Sequence, residues 1–323
     1  VVNVLPRLAI TLGDPAGIGP ELALRAVKDA RVQAQCQPVL IGSRALLTRV
    51  GAAVGLNGAV DILDETAADF SAVAIIPGTI SALAGAASAS WVETAIRGCQ
   101  RHDFAAMVTG PIHKQAWHAA GIPFPGHTEL LAQRCGVSGG EAMLLYHDNL
   151  AVALTTVHQR LSSVPASLDP QRIVRIARQA AEMVATLRGR RPRLAMLGFN
   201  PHAGEDGLFG DEEAAIRPAI FELLQLGFDV DGPLPPDTAF TPAARARYDV
   251  WICHYHDQGL IPFKALYFDQ GVNVTLGLPI IRTSVDHGTG FDRAWQGTAS
   301  AESLVAAIEL AARLVAGKTF RDQ

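Results

Sequence analysis

The feature that most constrains this chain is alternation. Short apolar runs rich in strand-formers are followed, from one end to the other, by stretches with helical period. Residues 8–12, 38–41, 105–109, 150–156, 193–197, 249–253 and 272–276 read as strands. Residues 21–31, 44–50, 91–101, 170–188, 211–226 and 301–314 read as helices. The clearest is 170–188, where Ile173, Ile176, Ala177, Ala180 and Val184 share one face, Asp169 stands at the N-cap and Pro170 at the first helical position. The stretch 67–89 is small, apolar and turn-rich, and its elements cannot be placed. Strands separated by helices need crossover connections, so the expectation is an α/β protein with a largely parallel sheet.

Size and charge narrow this further. With 323 residues, 49% of them hydrophobic and 18% charged, the chain can bury a sizeable core. No proline-rich linker or charge run divides it. Residues 1–323 are therefore read as one catalytic unit of two intertwined α/β lobes with discontinuous boundaries. The net charge of −4 supplies no electrostatic footprint for nucleic acid or an anionic membrane. No apolar run approaches ~18 residues, and residues 1–7 lack the basic and apolar segments of a signal peptide. Cys36, Cys99, Cys135 and Cys253 lie far apart with no CxxC pair, which argues against a disulfide framework or zinc ribbon. The expected setting is the cytoplasm.

Chemistry-bearing residues gather just past strand ends, where open α/β sheets place ligands. Gly13-Asp14-Pro15-Ala16-Gly17-Ile18-Gly19-Pro20-Glu21 lies between a strand and a helix and suits close approach of an anion, or is simply a tight turn. It is neither GxGxxG nor a P-loop. His158, His202 and His256 each follow a strand, so the three can converge on one rim. Three neutral imidazoles suit zinc and related divalent ions, although any one of them alone reads as an ordinary surface or capped histidine. Lys114 follows Thr109-Gly110-Pro111-Ile112-His113, and His127-Thr128-Glu129 follows Gly126. Lys264, Asn273 and Arg282 can clamp phosphate or carboxylate oxygens, or serve only solubility. Asp286-His287-Gly288-Thr289-Gly290 is a polar glycine turn that faces a nucleotide or closes a loop.

Taken in order, these segments, with Gly232-Pro233-Leu234-Pro235-Pro236-Asp237-Thr238, resemble the 4-hydroxythreonine-4-phosphate dehydrogenase family of vitamin B6 biosynthesis. The resemblance spans nearly the whole chain. It implies the two-lobed isocitrate/isopropylmalate dehydrogenase-like fold with an active-site cleft between lobes. It also implies a homodimer whose active site lies at the subunit interface. Carried over residue by residue, it makes His158, His202 and His256 ligands of one divalent metal per subunit (zinc, magnesium or cobalt). Substrate contacts fall to His127, Thr128, Lys264, Asn273 and Arg282, and cofactor contacts to His287 and Gly288. The cofactor is NAD or NADP. Lys114 and Asp237 both stand in matching motifs as the general base. One departure stands out: where relatives have an Ala-Gly-basic-Gly type stretch, this chain has Phe291-Asp292-Arg293-Ala294-Trp295-Gln296-Gly297, with Trp295 in place of a glycine.

The implied reaction oxidises the secondary alcohol of 4-phosphooxy-L-threonine. The resulting β-keto acid loses CO₂ to give 3-amino-1-hydroxyacetone phosphate, on the way to pyridoxal 5'-phosphate. Alternatives are the same oxidation on threonate or erythronate phosphate or on a dihydrodiol, a transferase resembling phosphate acetyltransferases, and a metabolite-binding protein without turnover. One arrangement that shares the metal places His256 on one subunit and His158 with His202 on the other.

Overall fold

The computed structural model describes residues 5–65, 67 and 70–321. Residues 1–4 of the amino-terminal segment and 68–69 of the unplaced stretch lie outside the described residues. The chain divides into two compact units, 1–141 with 278–323, and 142–277.

The first unit carries β1 (Arg7–Thr11), α1 (Gly19–Ala26), α2 (Ala30–Gln35), β2 (Gln37–Gly42), α3 (Arg44–Val54), β3 (Ile62–Asp64), α4 (Ala82–Gln100), β4 (Ala106–Thr109), α5 (Lys114–Ala119) and α6 (His127–Arg134). The chain returns to it with β11 (Arg282–Val285) and α11 (Glu302–Arg321). Its strands lie in the order β3-β2-β1-β4-β11, and every pair is parallel. The helix expected over 21–31 breaks in two. Asp29 takes an extended conformation and its side chain accepts the Arg31 N–H, capping α2 and competing with a continuous helix. The stretch 67–89 conceals the start of α4, capped by Ser81, whose Oγ accepts the Ala84 N–H. Its run of Ala, Gly and Ser gives no amphipathic contrast. The smallness serves packing instead, because a Cβ on Gly85 would collide with the Ala116 carbonyl of α5.

The second unit contains β5 (Ala142–His147), β6 (Leu150–Leu154), α7 (Pro170–Arg188), β7 (Arg193–Leu197), α8 (Glu213–Gln225), β8 (Asp229–Leu234), α9 (Pro242–Arg247), β9 (Val250–Cys253), α10 (His256–Tyr267) and β10 (Val272–Leu276). Strand order is β10-β5-β6-β9-β7-β8. Pairs β10–β5 and β5–β6 are antiparallel, and β6–β9, β9–β7 and β7–β8 are parallel. Trp251, Leu154, Val152, Leu197 and Phe263 centre its core. Helix α7 is the one read from its period. Asp169 accepts the N–H groups of Gln171 and Arg172 at its start, and Gly189, at φ 65°, ends it.

Candidate active site

In the second unit, β6, β9 and β7 are neighbouring parallel strands with their ends in register: Leu154 pairs Cys253, and Met196 pairs Ile252. His158, His256 and His202 follow these three strands, so residues far apart in sequence reach the same sheet edge. His158 and His256 stand side by side, ring centroids 5.7 Å apart. They line a cavity of about 360 Å³ with Arg160, Tyr255 and the apolar Val157, Leu161 and Val164. His256 Nδ1 lies 2.7 Å from Asp257 Oδ1, a contact that fixes the orientation of the ring. His202 is carried apart from this pair, with its ring 6.2 Å from that of Phe209. Among the described residues no three His, Cys, Asp or Glu side chains are grouped to surround one ion. Two imidazoles on one wall suit a divalent ion by their chemistry, and the third follows the neighbouring strand.

The segment holding His202 is strained. His202, Ala203, Glu205 and Asp206 all have positive φ (51°, 55°, 41° and 55°), which costs non-glycine residues about 1–2 kcal/mol each. Glu213 holds it: Oε1 accepts the N–H groups of Phe199 and Asn200 at 2.9 and 2.8 Å, and Oε2 accepts the Asn200 amide at 3.0 Å. Burial opposes the Glu213 charge, yet these bonds outweigh it and keep its carboxyl below the usual range. His254 braces the edge from beneath. Its Nε2 is 2.8 Å from the Leu197 carbonyl at the end of β7, and its Nδ1 3.3 Å from Thr155 Oγ1 just after β6. Complete burial drives its basicity down, to a pKa of about 4, so the ring is neutral. Gln258 accepts the His254 N–H and donates to the Gly198 carbonyl, both at 2.7 Å.

Lys264 lies two turns along α10 from His256, its ammonium 5.8 Å from the Phe268 ring centroid. Asn273 sits within β10, opposite Leu145, and Asp237 is exposed just after β8.

In the first unit, β1, β4 and β11 are neighbours, which gathers the loops they lead into. The Ile18 N–H donates to the Thr289 carbonyl at 2.9 Å, and Asp14 N–H to Pro111 O at 2.8 Å. A Cβ on Gly17 would stand 2.6 Å from Thr289 O, so glycine is needed for this approach. His287 Nδ1 is 2.9 Å from Gly288 O, and the space above Gly288 is open. Trp295 occupies a left-handed conformation, φ 60°, which glycine adopts more readily. Its Nε1 donates to Pro15 O at 3.2 Å, and Arg49 lies 4.8 Å over its ring.

The buried Arg282, 3% exposed, donates to Thr109 Oγ1 at 2.8 and 3.2 Å. Burial lowers its pKa to about 10, against the pull of Glu129, so it stays cationic at neutral pH. Burial, and next the Arg282 charge, hold His127 well below the usual imidazole range, so it is neutral. His127 Nε2 is buried without a hydrogen-bond partner. His127 and Thr128 open α6, whose start has no side-chain cap. Lys114 stands nearby: a Cβ on Gly126 would lie 3.8 Å from its Cε and 3.5 Å from Glu129 Oε2. Free N–H groups at a helix start, a buried guanidinium and a hydroxyl are suited to a phosphate.

Sequence reasoning missed Asp14, His254, Glu213 and Arg160 as parts of this machinery. Asp14 lay inside a quoted motif and His254 two residues from a quoted histidine. Glu213 and Arg160 gave no signal.

Polar groups collected past the carboxyl ends of mostly parallel strands are the build of an α/β enzyme. The family described as pyridoxal phosphate biosynthetic protein PdxA matches residues 34–311, and the chain belongs to that family. It is similar to the 4-hydroxythreonine-4-phosphate dehydrogenase of Trichlorobacter lovleyi, with 44% identity covering 96% of this chain and 98% of the relative. It is also similar to the D-threonate 4-phosphate dehydrogenase of Pectobacterium atrosepticum, with 39% identity over 95% of this chain and 98% of the relative. Among solved structures, the 4-hydroxythreonine-4-phosphate dehydrogenase of Klebsiella pneumoniae matches with a TM-score of 0.85 and 37% identity. That match covers 96% of this chain and 99% of the other.

Proposed function

We propose that this protein is a metal- and NAD(P)-dependent dehydrogenase that oxidises 4-hydroxy-L-threonine 4-phosphate in pyridoxal 5'-phosphate biosynthesis. The observation that carries it is the buried Arg282 beside the uncapped start of α6, with His127 and Thr128 on its first turn, in a chain of this family. In this reading the substrate phosphate takes the helix N–H groups, the Thr128 hydroxyl, the unpartnered His127 Nε2 and the Arg282 charge. Lys264 and Asn273 are further proposed substrate contacts, and His287 and Gly288 cofactor contacts. His158 and His256, with His202 from the adjoining strand end, would hold the divalent ion.

When bound, the ion supplies Lewis acidity at the alcohol that is oxidised, and the nicotinamide supplies the hydride acceptor. The chain's own task is to place the hydroxyl and to take its proton, at Lys114 Nζ or Asp237 Oδ. The neutral state of His127 suits its role, because it donates to the phosphate without a second buried cation beside Arg282. The protein is further proposed to be a cytoplasmic homodimer. No described helix is long and apolar enough to cross a membrane.

A second reading is supported by the Pectobacterium relative: the same oxidation on D-threonate 4-phosphate. Nicotinamide reduction is followed with both substrates, NAD and NADP, with and without chelator. A larger kcat/KM for 4-hydroxy-L-threonine 4-phosphate supports the first reading, and a larger value for D-threonate 4-phosphate replaces it. No reduction with either, after metal replenishment, would overturn the assignment.

A further inference from the structure

A concentration of arginines in the second unit lies away from the histidines, at the opposite ends of the same strands. A cavity of about 600 Å³ opens where β6, β9 and β7 begin. Arg188, Arg190, Arg193, Arg245 and Arg247 line it, and the carboxylates on its wall are those of Asp148 and Asp249. Five guanidinium groups face two carboxylates on the wall and two more, Asp229 and Asp231, just outside it, which leaves an excess of one positive charge in a chain whose net charge is −4.

An ion-pair network that merely stiffened the fold would balance itself. Part of this one does. Asp249 accepts a forked pair of bonds from Arg190, both 2.8 Å, and lies 2.8 Å from Arg188. Arg247 reaches Asp231 at 2.7 Å and Arg193 reaches Asp229 at 3.0 Å, both carboxylates outside the cavity wall. Arg245 differs. It donates only to neutral oxygens, Phe240 O at 3.2 Å and Tyr267 OH at 3.3 Å, and has no carboxylate partner among the described residues. Arg188 Nε is buried with no hydrogen-bond acceptor. The wall therefore holds donors and charge that the protein leaves unmatched.

We propose that this cavity is a second binding site, separate from the strand edge that carries the histidines, and that it takes a small polyphosphate anion. The volume suits a ligand of that size. Planar guanidinium groups pair with phosphate oxygens through two bonds at once. Pyrophosphate has enough oxygens to engage several of these groups at once, where a monocarboxylate engages one. Arg245 and Arg247 also stand in the last turn of α9, where cations are favoured by the helix dipole, so the cluster persists without ligand.

The test is calorimetric titration of the full chain with inorganic pyrophosphate. Wild type should show a binding component that Arg245→Ala weakens about tenfold or more, the effect of removing one charge-assisted contact. Ala246→Glu should abolish the same component. Ala246 is exposed on α9 and lines the cavity, so this change brings in a carboxylate without disturbing the core. Arg217→Ala, which removes an exposed arginine outside the cavity wall, and Arg282→Lys, in the other unit, should both leave it in place. Absence of binding at millimolar pyrophosphate, or equal affinity in wild type and Ala246→Glu, would overturn the site.

Discussion

Asp14 offers a sharp test of how the first unit is built. It is 0% exposed. Its Oδ1 accepts the Ala16 N–H at 2.9 Å, while Oδ2 is buried without a partner. Burial dominates over that one bond and raises its pKa from 3.8 to about 6. Between those values the native protein keeps a proton that the unfolded chain has released. The contribution of Asp14 to stability is thus fully present below pH 3.8 and is lost as pH rises through about 6. The displacement corresponds to about 3 kcal/mol. Asp14→Asn keeps an acceptor for Ala16 and removes the titration, at a pH-independent penalty of about 1–3 kcal/mol for its unpaired amide. The stability of the variant relative to wild type should therefore climb by about 2.5 kcal/mol between pH 4 and pH 7.5. Urea unfolding of both proteins across that range measures it, and other titrating groups cancel in the difference. Parallel curves would show that Asp14 titrates like an exposed carboxylate and that the loop around it is open to water.

Other expected outcomes follow from the same geometry. His254→Leu strips the Leu197 carbonyl and Thr155 of their partner and should cost about 2–4 kcal/mol in urea unfolding; it should also weaken zinc binding measured against a competing chelator. Trp295→Gly relieves about 1 kcal/mol of left-handed strain but loses a buried indole, its bond to Pro15 and the Arg49 contact. Its net effect should be a loss of about 2–4 kcal/mol, checked by thermal unfolding. Arg282→Ala should lower kcat/KM for the phosphorylated substrate about ten- to hundredfold, measured by nicotinamide absorbance. His256→Ala should remove most bound metal in elemental analysis, and full occupancy would dismiss the histidine from the ion.

What could be read from the sequence follows from what each segment has to signal. Helix α7 and strands β7 and β10 showed their bounds because their apolar period and caps point the same way. Strand β5, Ala142–His147, went unread although it pairs antiparallel with both β10 and β6 and follows the turn Ser138-Gly139-Gly140. Helix α10 was hidden because it starts directly on the His-Tyr-His-Asp motif and contains Pro262. Strand-end position did place His158, His202 and His256 at one sheet edge. Spacing alone could not show that His158 and His256 adjoin while His202 rides a left-handed segment, since that depends on Glu213, which is remote in sequence from the strands it serves.

The polar atoms left unpaired in the first unit carry the argument one step further. Of the five such buried atoms among the described residues of that unit, four, Thr11 Oγ1, Asp14 Oδ2, His113 Nδ1 and His127 Nε2, stand at or beyond the carboxyl ends of β1 and β4, and the fifth, Glu141 Oε2, precedes β5. Each such group costs about 1–3 kcal/mol of stability, so a chain selected only for folding would have paired or replaced them. His127 stands where Arg282 is buried and α6 begins uncapped. A ligand that pairs these atoms would recover that free energy on binding. The phosphorylated substrate should therefore raise the unfolding temperature more than its affinity for an exposed cationic patch would allow, and neutral His127 should be the group whose replacement by Phe removes most of that gain.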